Sequence, residues 1–292
     1  MSSPFRTIGL IGKPGDPAVA DTLAKLRREL QRRGLQVRLD ESAAAYFEQP
    51  AEPVLPRHQL GESCDLAIVV GGDGTLLSVA RSLVEADVAV LGVNLGRLGF
   101  LADVSPDEMC ERLDEILAGK YEEERRSLLH ASVLREGSPV SESDALNDVV
   151  IHKWDIARMI ELDTAIDGRY LNSLRADGLI VSTPTGSTAY ALSGGGPILD
   201  PALEALVLVP ICPHTLSNRP IVVSDRVVIE VVVHGEPSTK AQITCDGQVN
   251  FALQLGDLIR IRRKEHSLRL IHPRNHDHFE IMRKKLRWAE QP

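Results

Sequence analysis

The run Leu66-Ala67-Ile68-Val69-Val70 passes directly into Gly71-Gly72-Asp73-Gly74-Thr75, and a helical pattern over 75–86 follows. Five apolar residues in a row, three of them β-branched, predict a strand buried on both faces. A buried strand that enters a Gly-rich turn and then a helix belongs in an open α/β sheet with parallel strands. The neighbouring pattern agrees. Residues 8–11 read as a strand, 18–33 as a helix with Leu23, Leu26 and Leu30 on one face, and 35–39 and 88–93 as further strands. Gly34 stops the first helix. Residues 42–61 contain Pro50, Pro53 and Pro56 and read as a surface loop. A helix is expected over 105–118, with Ser105 as N-cap, Pro106 at the first helical position, Glu108 completing a capping box and Gly119 as the stop.

The second half changes character. Strand-like runs fall at 128–135, 147–152, 158–166, 178–183, 205–209, 226–233, 240–245, 257–262 and 267–271, and Asp167-Gly168 reads as a hairpin turn. Helical patterning returns only at 276–288. The fold class is therefore an α/β N-terminal domain with a Rossmann-like parallel sheet, reaching to about residue 125–145, then an all-β domain. A length of 292 residues accommodates two such domains.

Composition narrows the partners. A formal net charge of −8 argues against nucleic acid, which normally demands a basic face. Local amides and a few arginines can still bind a small anion. Apolar runs fall short of the ~18 residues that span a bilayer, so no membrane partner is expected. Met1 to Pro4 show no basic segment leading into an apolar one, and a cytoplasmic location is expected. Cysteines 64, 110, 212 and 245 form no close pair and read as buried thiols.

Three motifs can carry chemistry. In Gly71 to Thr75 the glycines let backbone amides approach a phosphate, and Asp73 is a carboxylate held beside it. Such a carboxylate can take the proton of an attacking hydroxyl or hold magnesium. A plain Gly-rich turn is the competing reading. The stretch Asp177-Gly178-Leu179-Ile180-Val181-Ser182-Thr183-Pro184-Thr185-Gly186-Ser187-Thr188-Ala189-Tyr190 runs a strand into a hydroxyl-rich turn and continues to Ser193-Gly194-Gly195-Gly196-Pro197. Its hydroxyls and amides suit sugar and phosphate groups, and Tyr190 can stack on a base. The competing reading makes it a Ser/Thr turn with Tyr190 in the core. The pair Asn147-Asp148 can read an adenine edge and a ribose diol, although most such pairs are turns or caps. Arg158 and Arg175 can meet a pyrophosphate or simply be solvated. Cys245-Asp246-Gly247-Gln248 is either a ligand-facing turn or a hairpin.

Several chemistries are absent from the pattern. No GxxxxGK[ST] loop, GxGxxG turn, protein-kinase signature or G-x-S-x-G elbow occurs. His272, His276 and His278 fit neither HExxH nor a zinc-knuckle spacing, so they read as an exposed, solvated cluster and no metal-ligand set is expected.

Together the segments GGDGT at 71–75, NLGRLGFLAD at 94–103, ND at 147–148, RADGLIVSTPTGSTAYALSGGGPILDP at 175–201, PICPHTLSNRP at 210–220 and CDGQ at 245–248 resemble the bacterial NAD kinase family. The resemblance implies transfer of the γ-phosphate of ATP, with a divalent metal ion such as Mg2+, to the adenosine 2′-hydroxyl of NAD, giving NADP. It implies Asp73 as general base and Gly74 against the ligand. Asn147 and Asp148 would hold the adenosine, with Tyr190 against adenine. Thr188, Ala189, Tyr190, Ala191, Leu192 and Ser193 would form the binding turn, and Asp177 would lie near the nicotinamide end. Arg158, Arg175 and Gln248 would make further contacts, and a polar or charged residue at 175 goes with preference for NAD over NADH. The implied fold has a β-sandwich second domain and a C-terminal segment that returns to the first. That gives 1–145 as the α/β domain, 146–275 as the all-β NAD-binding domain and 276–292 as the returning segment. A homo-oligomer, dimer or tetramer, is also implied. Two competing functions remain: a lipid or sugar kinase sharing GGDG, which has no use for the STPTGSTAY segment, and a non-catalytic dinucleotide sensor, which has no use for Asp73.

Overall fold

A computed structural model of the chain describes residues 4–96, 99–154, 158–236 and 238–288. Arg97 and Leu98 of the 94–103 segment, and residues 289–292 of the C-terminal segment, lie outside the described residues. The chain divides into two compact units. One comprises Met1–Arg125 with Leu268–Pro292, the other Arg126–Ser267. The division thus falls at 125/126 and 267/268, so residues 126–145 count with the second unit and 268–275 with the first.

In the first unit, strands β1 (Thr7–Gly12), β2 (Gln36–Asp40), β3 (Val54–Leu55), β4 (Leu66–Gly71) and β5 (Ala89–Asn94) form a parallel sheet. Every residue of β4 and β5 is buried, as the uninterrupted apolar runs predict. The strand order is β5-β4-β1-β2-β3. The chain leaves β1 in one direction and returns to lay β4 on its other side. The crevice at the carboxyl ends of β1 and β4 is the switch point where open α/β sheets bind ligands. Helix α1 (Pro17–Arg32) starts where Asp16 caps the Ala18 N–H, with proline at the first position, and buries Val19, Leu23, Leu26 and Leu30. Helix α4 (Asp73–Leu83) begins at the end of β4.

Two expectations need correction here. The 42–61 stretch is not an irregular loop. It holds helix α2 (Glu41–Ala44), strand β3 and the start of helix α3 (Arg57–Ser63), elements too short for a period to show. Regular helix α5 covers Met109–Leu117 instead of 105–118. The reciprocal Ser105 and Glu108 bonds do form, but around a turn that precedes the helix.

The second unit is a β-sandwich. One six-stranded sheet has the order β13 (Ile221–Ser224), β12 (Ala205–Ile211), β11 (Gly178–Ser182), β8 (Asp148–Lys153), β15 (Ala241–Cys245), β16 (Val249–Leu253). Facing it, β9 (Ile160–Ile166) pairs with β10 (Arg169–Ala176) and β14 (Ile229–His234), which pairs with β17 (Leu258–Pro273). Strand β6 (Tyr121–Arg135) pairs with β7 (Ser138–Ala145). Apolar residues of both sheets, among them Val149, Ile151, Val181, Leu162, Val231 and Ile259, close one buried core. Asp167 and Gly168 both adopt positive φ, giving the tight hairpin that their identity predicts. The runs at 257–262 and 267–271 are a single strand, β17. Its last residues, Arg269 to Ile271, pair in parallel with β5 in the first unit, and helix α7 (His278–Leu286) follows. No helix among the described residues is long and apolar enough to cross a membrane.

Candidate functional site

Each unit carries one cluster of candidate residues. In the first, Gly71 ends β4 and Asp73 opens α4. The turn is tight. A Cβ on Gly71 would sit 2.5 Å from the Thr75 hydroxyl oxygen. The Lys13 amide donates to the Val70 carbonyl at 2.8 Å, joining the carboxyl ends of β1 and β4 at the switch point. The positive end of the α4 dipole lies at the same place.

The Asp73 carboxylate is fixed by three backbone amides. Phe100 donates to Oδ2 at 2.8 Å, and Leu101 and Ala102 donate to Oδ1 at 3.1 and 3.2 Å. The chain approaches so closely that a Cβ on Gly99 would lie 2.1 Å from Asp73 Oδ1. A carboxylate oxygen has two lone pairs, so Oδ2 keeps the capacity to accept a proton. Sequence reading singled out the 94–103 segment but gave its amides no role, because a backbone donor has no side-chain signature. Gly74 is exposed beside Asp73.

In the second unit a cavity of about 250 Å³ is lined by Asn147, Asp148, Val150, His152, Ala189, Tyr190, Thr244, Asp246 and Gly247. Asn147 and Asp148 sit at the start of β8, where a second carboxylate positions them. Asp246 accepts the amides of Leu146 at 3.1 Å, Asn147 at 2.7 Å and Asp148 at 3.3 Å. Asp246 and Gly247 have positive φ and close a hairpin between β15 and β16. The hairpin reading of this turn holds, and its carboxylate faces the cavity as well.

Asp148 is buried. Burial and the adjacent Asp246 charge push its carboxyl up to about 7, against a hydrogen bond from the Tyr190 amide that lowers it. This carboxyl therefore exchanges its proton near neutrality. When ionised it can accept two hydroxyl donors of a ribose. His152 has its Nδ1 against the Lys153 carbonyl at 3.0 Å and its Nε2 3.0 Å from the Gln242 amide nitrogen. That pairing calls for an Nδ1–H tautomer with Nε2 accepting. Neither His152 nor Thr244 was singled out from sequence, because each lies inside an ordinary strand.

The hydroxyl-rich turn works differently from expectation. Ser182, Thr183 and Ser187 are fully buried. Ser182 donates to the Asn147 carbonyl at 3.0 Å, Thr183 to the Leu146 carbonyl at 2.6 Å, and Ser187 to the Pro184 carbonyl at 2.6 Å. These hydroxyls build the turn and hold Asn147 instead of facing a ligand. A Cβ on Gly186 would lie 2.1 Å from the Asn147 carbonyl oxygen, so the two segments touch along their backbones. Tyr190 is 48% exposed, which excludes the core reading.

Other candidates lie outside the cavity lining. Ala191, in the short helix α6 (Tyr190–Ser193), is buried among Val150, Ile180, Leu199, Val207 and Val209. Thr188 donates to the Thr185 carbonyl at 3.3 Å. Leu192 is half-buried, and Ser193 and Gln248 are exposed. Asp177 pairs with Lys153 at 2.7 Å, and Arg158 pairs with Glu236 at 2.5 Å. Arg175 is exposed on β10.

The histidine expectation is corrected. His272 is fully buried and His276 has a side chain only 3% exposed, both against Asp103, while His278 is half-buried. Spacing along the chain could not show this, because the element that covers them comes from near residue 103.

Comparison with known proteins covers both clusters. Residues 8–121 match the model of the ATP-NAD kinase N-terminal domain, and residues 146–273 match that of the ATP-NAD kinase C-terminal domain. An NAD kinase of Nitrosococcus oceani is 50% identical over 291 residues, covering 100% of this chain and 99% of its own. One from Chromohalobacter salexigens is 52% identical over 290 residues, covering 99% and 98%. Among solved structures, an NAD kinase from Archaeoglobus fulgidus in complex with ATP superposes with TM-score 0.72 at 30% identity, covering 96% of this chain and 98% of its own. Yeast NADH kinase complexed with NADH superposes with TM-score 0.87 at 24% identity, covering 99% and 92%, a likeness of fold.

Proposed function

Since this chain belongs to the ATP-NAD kinase family and is an enzyme that phosphorylates NAD, we propose that Asp73 is the general base that directs ATP's γ-phosphoryl group onto the adenosine 2′-hydroxyl. The observation that carries this reading is the Asp73 carboxylate itself, held by three amides at the carboxyl end of a central parallel strand. Phosphoryl transfer depends mainly on positioning and charge stabilisation. A secondary hydroxyl need not ionise beforehand. Asp73 Oδ2 takes its proton as the O–P bond forms and the bond to ADP breaks. Such help is worth 10²–10⁴-fold, or roughly 3–5 kcal/mol of barrier. A divalent cation enters with ATP as part of the donor substrate.

Asn147 and Asp148 bind the adenosine, the ionised Asp148 accepting from ribose hydroxyls, and Tyr190 stacks on adenine. The cavity that these residues line supports that assignment. Ala189 lines the same cavity, and Thr188, Ala191, Leu192 and Ser193 frame the turn. Gly74 admits the ligand beside Asp73. Asp177, Arg158, Arg175 and Gln248 serve the remainder of the dinucleotide, with Arg175 favouring NAD over NADH. The protein acts in the cytoplasm as a homo-oligomer.

The test is direct. The protein is incubated with ATP, magnesium and NAD, and NADP is measured with an NADP-specific dehydrogenase. Absence of NADP across donors and divalent metals would overturn the reading.

A further inference from the structure

Away from Asp73, the first unit buries a second set of ionisable groups that phosphoryl transfer does not use. Nδ1 of His272 lies 2.9 Å from Oδ2 of Asp103, and Nδ1 of His276 lies 2.6 Å from the same oxygen. The two imidazoles stack, with centroids 3.7 Å apart and planes 26° from parallel. Their opposite edges face Glu124. Nε2 of His272 is 3.6 Å from Oε2, and Nε2 of His276 is 4.0 Å from Oε1. Among the described residues neither Nε2 has a partner within hydrogen-bond distance, nor does Oδ1 of Asp103.

Protons satisfy this arrangement only in part: one imidazolium can bond Asp103 and Glu124 together, but a neutral second ring that donates to Asp103 still turns its Nε2 lone pair toward Glu124. Two neutral imidazoles donating from Nδ1 to Asp103 would turn two Nε2 lone pairs toward the Glu124 carboxylate, acceptor against acceptor. Two protonated rings would satisfy both carboxylates but stack two cations face to face in a buried site. A divalent cation among the two Nδ1 atoms and the Asp103 carboxylate resolves both conflicts. The Nδ1 lone pairs and the carboxylate then face the metal, and each Nε2–H points at Glu124. This is the carboxylate–histidine–metal relay that orients imidazole ligands. The candidate ligand atoms lie within 4.8 Å of one another. The cavity beside them, lined by Asp103, His276, Asp277 and Glu280 among others, opens to solvent and supplies an entry path and a fourth ligand position.

We propose that Asp103, His272 and His276 form a binding site for a zinc-class divalent cation, oriented by Glu124 and separate from the ion that accompanies ATP. Two imidazoles and one carboxylate suit zinc better than magnesium, which prefers an oxygen shell. The site has a structural consequence. Asp103 directly follows Phe100-Leu101-Ala102, the residues whose amides hold Asp73. His272 is the penultimate residue of β17, and His276 precedes α7. The metal therefore pins the Asp73-binding segment to the C-terminal elements of the same unit. This last consequence rests on the reading of Asp73 as the base; the binding itself does not.

The experiment uses the full-length protein stripped with a chelator and titrated with zinc against a chromophoric competitor, with cobalt(II) as spectroscopic probe. The expected result is one zinc per chain, a raised Tm, and the intense visible bands of four-coordinate cobalt. H276Q, at the cavity rim, should weaken zinc binding at least tenfold, whereas H130Q should leave it unchanged. No stoichiometric uptake by the folded wild-type chain overturns the proposal, as does uptake that H276Q leaves intact. Should H276Q fail to fold, the wild-type cobalt spectrum decides: six-coordinate oxygen-type bands overturn the site. NADP formation is not the readout, so failure here is distinguishable from failure of the kinase assignment.

Discussion

Oδ1 of Asp246 accepts the backbone N–H of Asn147 at 2.7 Å, across 99 positions of sequence. The turn at 245–248 and the pair at 147–148 are therefore one device. The turn's carboxylate holds the amides that begin β8 and places a negative charge beside Asp148. Replacing Asp246 by Asn leaves one oxygen to serve the three amides and should cost about 1–3 kcal/mol of stability. It should also lower the midpoint of Asp148 titration by removing the neighbouring charge. Urea unfolding and carboxyl NMR check the two effects separately.

Asp148 gives a pH dependence with a definite sign. Its carboxyl is raised from 3.8 to about 7, first by burial and then by Asp246. Below about pH 4 the carboxyl is neutral in both folded and unfolded chains and costs nothing. Between about 4 and 7 the unfolded chain ionises while the folded one resists, so stability falls as pH rises and levels off above 7. The full effect is on the order of 4 kcal/mol at most. Asp148→Asn should flatten this slope in unfolding curves taken across that window.

The same group predicts proton release on binding. If ribose hydroxyls donate to ionised Asp148, NAD binds more tightly above about pH 7 than below it, and each binding event near neutrality releases a fraction of a proton. Calorimetry in buffers of different ionisation enthalpy measures that fraction. Proton uptake would contradict the assignment.

Asp73→Asn should cut kcat by at least ~10² while NAD still binds. The amide also turns one NH2 toward backbone donors, so a modest fall in Tm accompanies it. Near-normal turnover would remove Asp73 from the mechanism.

Gly99→Ala tests how Asp73 is held. The added methyl would meet Asp73 Oδ1 at 2.1 Å, so the carboxylate or the 99–102 segment must move. A displacement of about 1 Å typically costs roughly 10²-fold in rate. Steady-state assays should place the loss in kcat, with the KM for NAD little changed.

Tyr190 is exposed, so Tyr190→Ala should leave the fold intact. Losing the ring proposed to stack on adenine should raise the KM for NAD about tenfold. Thermal melts and kinetics together separate this from a packing role, which would move Tm first.

Much of the frame was readable locally. The β4–turn–α4 unit, the capped start of α1 and the Asp167-Gly168 hairpin each arise from neighbouring residues and a short period. The short elements between 41 and 63 escaped because two to seven residues show no period. In the candidate site, Asp73, Asn147, Asp148 and Tyr190 were legible as chemical types set in Gly-rich or turn contexts. His152 and Thr244 were not, since a strand side chain reveals its sheet face only after the neighbouring strands are paired.

What the sequence by itself determined is where a phosphate-type turn with a carboxylate begins and which family the ordered segments resemble, because those depend on residue identity and spacing. Tertiary structure alone decided how the polar groups are used. It consumed the hydroxyls of Ser182, Thr183 and Ser187 inside the turn and set three amides on Asp73. It also buried His272 and His276 against Asp103, 169 and 173 positions away. A polar group's role depends on which donors, acceptors and charges surround it after water is excluded, and those partners come from distant parts of the chain.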